Sequence, residues 1–164
     1  MEHTKTLARC GLLTAIALTI FLVEARLPEL VPIPGVKLGL SNIVTVYAAF
    51  CLGPRQAVGI LTARILLGSA LSGQMMSLVY SACGGALSIA ATLLLRRILK
   101  PHQIWVAGCL GGLFHNLGQM AAALLVTGTV QLLGYLPVLA VSGMLAGLFT
   151  GLAAQMLIHR WKKG

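Results

Sequence analysis

The sequence predicts an all-α membrane protein, a bundle of six transmembrane helices with both termini in the cytoplasm. Three observations predict it. Of 164 residues, 58% are hydrophobic and 9% are charged, whereas ordinary globular domains carry about 25% charged residues. Apolar stretches of about 15 to 25 residues recur from end to end, a length that reads as bilayer spans. The Lys and Arg residues collect in alternate gaps between those stretches. The whole chain, 1–164, reads as a single integral membrane domain.

The first span covers about 7–25. It runs on through "GLLTAIALTIFLVEARLPEL" with no A-x-A-like cleavage site, so it stays in the protein as a helix. "EARLPELVPIPGVK" (24–37) follows, with three prolines and two of the three acids. Its 26–37 portion is a stiff, partly apolar outer loop, suited either to fold back as a lid or to serve as a connector. Spans two and three, about 38–52 and 56–72, are short for a crossing and are turned by "LGPRQ" (52–56). Span four covers about 75–95. The basic connector "RRILKPHQ" (96–103) ends it, with Pro101 discouraging continuation of the helix. Spans five and six cover about 104–127 and 132–158.

Charge sets the orientation. Lys5, Arg9, Arg55, Arg96, Arg97, Lys100, Arg160, Lys162 and Lys163 fall on one side of this topology, and only Arg26 and Lys37 on the other. Nine against two is a strong positive-inside bias, placing both ends in the cytoplasm of a cell-membrane protein. The net charge of +9 is therefore topological; without a basic face interleaved with aromatics, it does not point to nucleic acid. Cys10, Cys51, Cys83 and Cys109 sit one per apolar segment with no ligand spacing, and read as small buried hydrophobes. Gly143, Gly147 and Gly151 on span six, like Gly108 and Gly112 on span five, read as helix-packing surfaces.

The chemistry gathers at "GGLFHNLGQ" (111–119). On a wheel of about 100° per residue, His115, Asn116, Gln119 and the glycines share one face, and Leu110, Leu113, Phe114 and Leu117 share the other. Unpaired amides in hydrocarbon cost several kcal/mol, so that face looks into the bundle, as interhelical glue or as a cavity wall. Arg64, in "ILTARILLGS", lies roughly 12 Å into span three. A mid-bilayer arginine costs at least about 2.5–3.5 kcal/mol. The chain has no aspartate, and Glu24 and Glu29 fall at the outer rim. Arg64 is accordingly expected to lack a buried acidic partner, with snorkelling to the interface as the alternative. An anionic guest from outside would supply the missing charge. Lys37, Ser41, Asn42, Gln74, Ser77, Tyr80 and Tyr135 fall on the outer halves and extend the expected pocket. The substrate-binding set is Lys37, Asn42, Arg64, Tyr80, His115, Asn116 and Gln119.

At "PGVKLGLSNIVTVYA" (34–48) and "GGLFHNLGQ" the sequence resembles the Gx transporter family, also labelled heptaprenyl diphosphate synthase component I, over essentially the whole chain. Size, span count and the long first outer loop also resemble the substrate-binding S components of energy-coupling factor (ECF) transporters. That resemblance implies capture of a small vitamin-like solute beneath the first loop. It also implies docking on a membrane coupling subunit that carries two ATPases. In such proteins docking uses an Ala-x-x-x-Ala pattern on the first helix, and "GLLTA" has Gly11 and Ala15 at those positions. No Walker A pattern is present, so pumping energy would come from partners. The synthase label is tested by chemistry: magnesium diphosphate sites need clustered carboxylates, and three dispersed glutamates do not provide one. The chain is expected to be a non-enzyme without cofactor or metal, and an accessory membrane subunit of such a synthase is the alternative. A self-contained carrier with His115 as proton relay is a third reading.

Overall fold

A computed structural model describes residues 2–26, 39–73 and 75–161. The described residues form six α-helices and no strand: α1 Glu2–Glu24, α2 Asn42–Cys51, α3 Pro54–Ser72, α4 Met75–Leu95, α5 Ile104–Thr127 and α6 Leu136–Trp161. Two 3₁₀ turns, Pro101–Gln103 and Val130–Tyr135, lead into α5 and α6. The expected Lys37 and Gln74, and residues 27–37 of the expected lid, lie outside the described residues.

Among the described residues, four segments are long and apolar enough to cross a membrane: Thr4–Glu24, Met75–Leu95, Pro101–Thr127 and Val130–Arg160. The other two helices fall short for different reasons. α3 carries Arg55, Gln56 and Arg64, which dilute its hydropathy. α2 has ten residues, a length of about 15 Å, half a hydrocarbon core. Glycines in conformations that L side chains resist bound α2: Gly39 at φ 68° and Gly53 at φ 122°. Gly53 is followed at once by Pro54, which opens α3 at a position where a missing N–H costs nothing.

The bundle wears its bulk outside. Leu66, Leu71, Leu125, Leu145, Phe149 and Met156 are exposed, while Ser41, Thr45, Arg64, Ser81, Thr92, Asn116, Gln119 and Thr150 are buried. Water would favour the opposite arrangement; a hydrocarbon solvent favours this one, because polar groups then find partners only inside.

α2 threads the middle. One of its faces joins Ala17, Ala57, Ile60, Leu61, Ile65 and Ile89 through Val44, Ala48 and Ala49. Val46 on the other meets Ile104, Ala154 and Ile158. α5 lies between α4 and α6, and glycine sets both distances. A Cβ on Gly118 would stand 2.6 Å from the Cys83 carbonyl oxygen, and one on Gly151 2.7 Å from that of Trp105. On Gly112 it would run into the Gly143 carbonyl oxygen. The two glycine ladders thus pack against each other, backbone on backbone.

The cysteines depart from expectation. None of the four forms a disulfide, but Cys51 and Cys83 are exposed and Cys10 and Cys109 only half-buried. The apolar outer surface accounts for this, since a thiol facing lipid loses nothing by leaving the core.

Candidate functional site

The polar residues meet where α2 begins. The turn Gly39–Ser41 feeds α2 through backbone bonds from Asn42 N–H to Gly39 (2.9 Å) and Ile43 N–H to Leu40 (3.1 Å). Gly39 and Asn42 then form one wall of a cavity, completed by Gly112, His115 and Asn116 from α5 and by Gly143, Ala146, Gly147 and Thr150 from α6. Its volume is about 10 Å³, room for about one water. Three expected residues, Asn42, His115 and Asn116, are therefore brought together.

The small, polar face of α5 turns inward, and Phe114 turns out. Asn116 is also committed to structure: its Nδ2 donates to the Leu139 carbonyl on α6 at 2.7 Å. That carbonyl also accepts from Ser142 Oγ at 3.1 Å. Gln119 is buried one turn further along, against α4, where a Cβ on Gly84 would stand 2.9 Å from its Cγ. Its Oε1 has no hydrogen-bond partner among the described residues, and neither has Thr45 Oγ1 on α2.

Arg64 stands behind the cavity wall, 4% exposed. It does not snorkel. Its Nη1 donates to Ser41 Oγ, and its Cζ lies 5.8 Å from the centroid of the Phe21 ring, in cation–π range. Gly68, one turn along α3, makes room for that ring: a Cβ there would stand 2.8 Å from two of its carbons. Arg64 Nε and Nη2 have no hydrogen-bond partner among the described residues.

The expectation that Glu24 falls at the outer rim, leaving no buried acid to act on Arg64, is corrected by the fold. Glu24 is buried, 8% exposed, and within coulombic range of the guanidinium. Its carboxylate accepts from two consecutive backbone amides, Oε1 from Gly39 N–H and Oε2 from Leu40 N–H at 3.1 Å. The last turn of α1 packs inward instead of ending at a wet rim, and this carries the acid in. The signal was present in spacing: Ala17, Phe21 and Glu24 form an i, i+4, i+7 stripe on one face of α1, and all three are buried. Phe21, Glu24, Gly39 and Thr150 are the members of this centre that sequence reasoning missed.

The remaining expected residues lie elsewhere. Tyr80 is half-buried on α4, one turn from Gly84, and is not a cavity wall. Ser77 is buried on the same helix. Tyr135 is exposed in the 3₁₀ turn before α6, away from the cavity. Gly11 and Ala15 are exposed on α1, with nothing within 4 Å of a Cβ placed on Gly11.

The family model described as heptaprenyl diphosphate synthase component I matches residues 13–157. No curated protein and no solved structure matches the chain.

Proposed function

This chain belongs to the heptaprenyl diphosphate synthase component I family, and from that premise we propose that it is a membrane-embedded solute-binding protein of the ECF S-component type. The observation that carries the reading is a polar centre inside a bundle whose outer surface is apolar: buried Arg64, Glu24, Ser41, Asn116 and Gln119, with half-buried Asn42 and His115 on the cavity wall. Intramembrane polar groups in this number mark solute pathways more often than they mark packing.

In this reading the six helices form a six-crossing bundle in the cell membrane, with both ends cytoplasmic by the bias in basic residues. Ser41 lies ten residues from Cys51, and Arg64 ten from Pro54. Each is therefore about 15 Å from the turn joining α2 and α3, at the midplane of a core about 30 Å thick. Asn42, His115, Asn116 and Gln119 offer hydrogen bonds, and Arg64 offers charge. Of the other residues expected in the binding set, Lys37 lies outside the described residues and Tyr80 does not line this cavity. The cavity admits about one water, so a solute enters by parting the Gly39–Asn42 turn from α5 and α6, not by filling a standing void. The exposed Gly11–Ala15 face of α1 receives the coupling subunit, and its two ATPases supply the energy.

The test is mass spectrometry of whatever co-purifies from native membranes, with wild type compared to Asn42→Ala and to the paired variant Arg64→Met/Glu24→Gln. A small molecule retained by wild type and lost from both variants supports the reading. Identical retention in all three overturns it.

The family description favours a second reading, a non-catalytic membrane subunit of a prenyl diphosphate synthase. It predicts co-purification with a soluble, aspartate-rich synthase and a change in that enzyme's product length. Equal products with and without this chain exclude it.

A further inference from the structure

Glu24 occupies a site built for an anion. Two consecutive N–H groups, Gly39 and Leu40, point at its two oxygens. The positive φ of Gly39 turns them to one side, the geometry by which backbone nests hold anions, just ahead of the N-terminus of α2. The Arg64 guanidinium adds the positive charge. Ser41, fully buried, holds one of its nitrogens, while Nε and Nη2 keep donor capacity that the described residues do not use. Gly39 and Asn42 at this turn are also walls of the cavity. The anion site and the cavity therefore share a boundary.

We propose that the Gly39 and Leu40 amides with Arg64 form a carboxylate-binding site that the chain fills with its own Glu24, and that the captured solute is a carboxylate whose acid group takes Glu24's place. The proposal rests on the solute-binding reading for its second half. A carboxylate is assigned over a phosphate because the two amides each take one oxygen of a planar pair. A dianion would also overbalance a single guanidinium. With Glu24 in place the buried charges among the described residues are one of each sign, Arg64 and Glu24. An arriving carboxylate makes the same bonds and shifts Glu24 away from them.

The experiment is chemical rescue. Glu24→Ala removes the equivalent of acetate from the site. In detergent, acetate at tens of millimolar is expected to restore most of the melting temperature this variant loses. Sodium chloride and inorganic phosphate at equal ionic strength should not, and wild type should not respond. Adding Arg64→Met to Glu24→Ala should remove the acetate effect. If phosphate restores it as well as acetate does, the carboxylate assignment is overturned; if no anion restores it, the site is. Glu24→Gln guards against failure of the alanine variant to fold. It keeps one acceptor but no competing charge, so it should broaden the signal of ¹³C-acetate at concentrations at least about tenfold lower than wild type needs; equal concentrations overturn the proposal. An acetate response in a protein that retains no solute from native membranes upholds the site and overturns the solute-binding reading. No response in a protein with an Arg64-dependent solute overturns the site and leaves that reading standing.

Discussion

Removing Arg64 and Glu24 together should harm the protein less than the two separate removals summed. Arg64 is 4% exposed and Glu24 8%, so water screens neither, and the charge of Glu24 acts on the guanidinium. Deleting one partner of a buried pair costs about 3–5 kcal/mol, because the survivor stays buried with its charge unbalanced. In a chain of this length about 1 kcal/mol moves the melting temperature by roughly 2–4 °C. Arg64→Met and Glu24→Gln should therefore each lower it by roughly 6–20 °C. The double variant removes both charges together. Its new glutamine side chain still offers an acceptor to one of the two amides, and its new methionine side chain fills the volume under Phe21. The loss should fall short of the summed single losses by about 2 kcal/mol or more. The assay is thermal unfolding of detergent-solubilised protein, read by fluorescence-detected size exclusion, over the four corners of the cycle. Losses that add within about 0.5 kcal/mol, or an Arg64→Met variant as stable as wild type, would refute the pairing argued for Glu24.

Other expectations follow from the packing and the topology. Gly112→Ala puts a methyl into the Gly143 carbonyl and 2.9 Å from Gly147 Cα. Backbone cannot rotate aside, so a loss at or above the usual 1–3 kcal/mol of overpacking, about 3 kcal/mol, is expected. Gly134→Ala, with nothing within 4 Å, should stay within about 0.5 kcal/mol of wild type; equal melting temperatures for the two variants would contradict the ladder. Asn116→Ala removes the 2.7 Å bond to Leu139 and should cost about 1 kcal/mol, measurable in the same assay. The Leu139 carbonyl keeps Ser142 as a donor, so a far larger loss would mean that Asn116 does more than join helices. In a background without native cysteines, a cysteine replacing Lys100 should react with impermeant maleimide only once the cytoplasmic face is opened. One replacing Gly134 should react in intact cells. The reverse pattern overturns the orientation.

Where sequence and structure agree, a strong local signal stood in the chain. The helices expected at about 75–95 and 104–127 are found as Met75–Leu95 and Ile104–Thr127, because their apolar runs are bounded by the basic connector with Pro101 and by Gly128. The first helix begins earlier than its apolar run, since Glu2, Lys5 and Arg9 continue the same helix beyond the greasy part. The sixth starts later: the Gly134–Pro137 stretch holds Val130–Tyr135 in a 3₁₀ turn before Leu136, and Pro137 is tolerated only in a first turn. The inward face of α5 was legible because 3.6-residue periodicity separates its amides from Phe114. The Arg64–Glu24 pairing was not. Forty residues separate the partners in sequence, and only the packing of α1 on α3, with Phe21 seated on Gly68, brings them level. Tyr135 misled for a related reason, since a tyrosine beside an apolar span suits an interface as well as a pocket.

The glycine seam between α5 and α6 has a mechanical consequence. Where two helices touch through main chain, no rotamer can yield, and a small slide of one along the other drives carbonyl oxygen against Cα. The pair can therefore move only as a single stiff plank. Any opening of the cavity must be borne by α1, α2 and α3, whose contacts run through flexible side chains such as Phe21, Ile60 and Ile65.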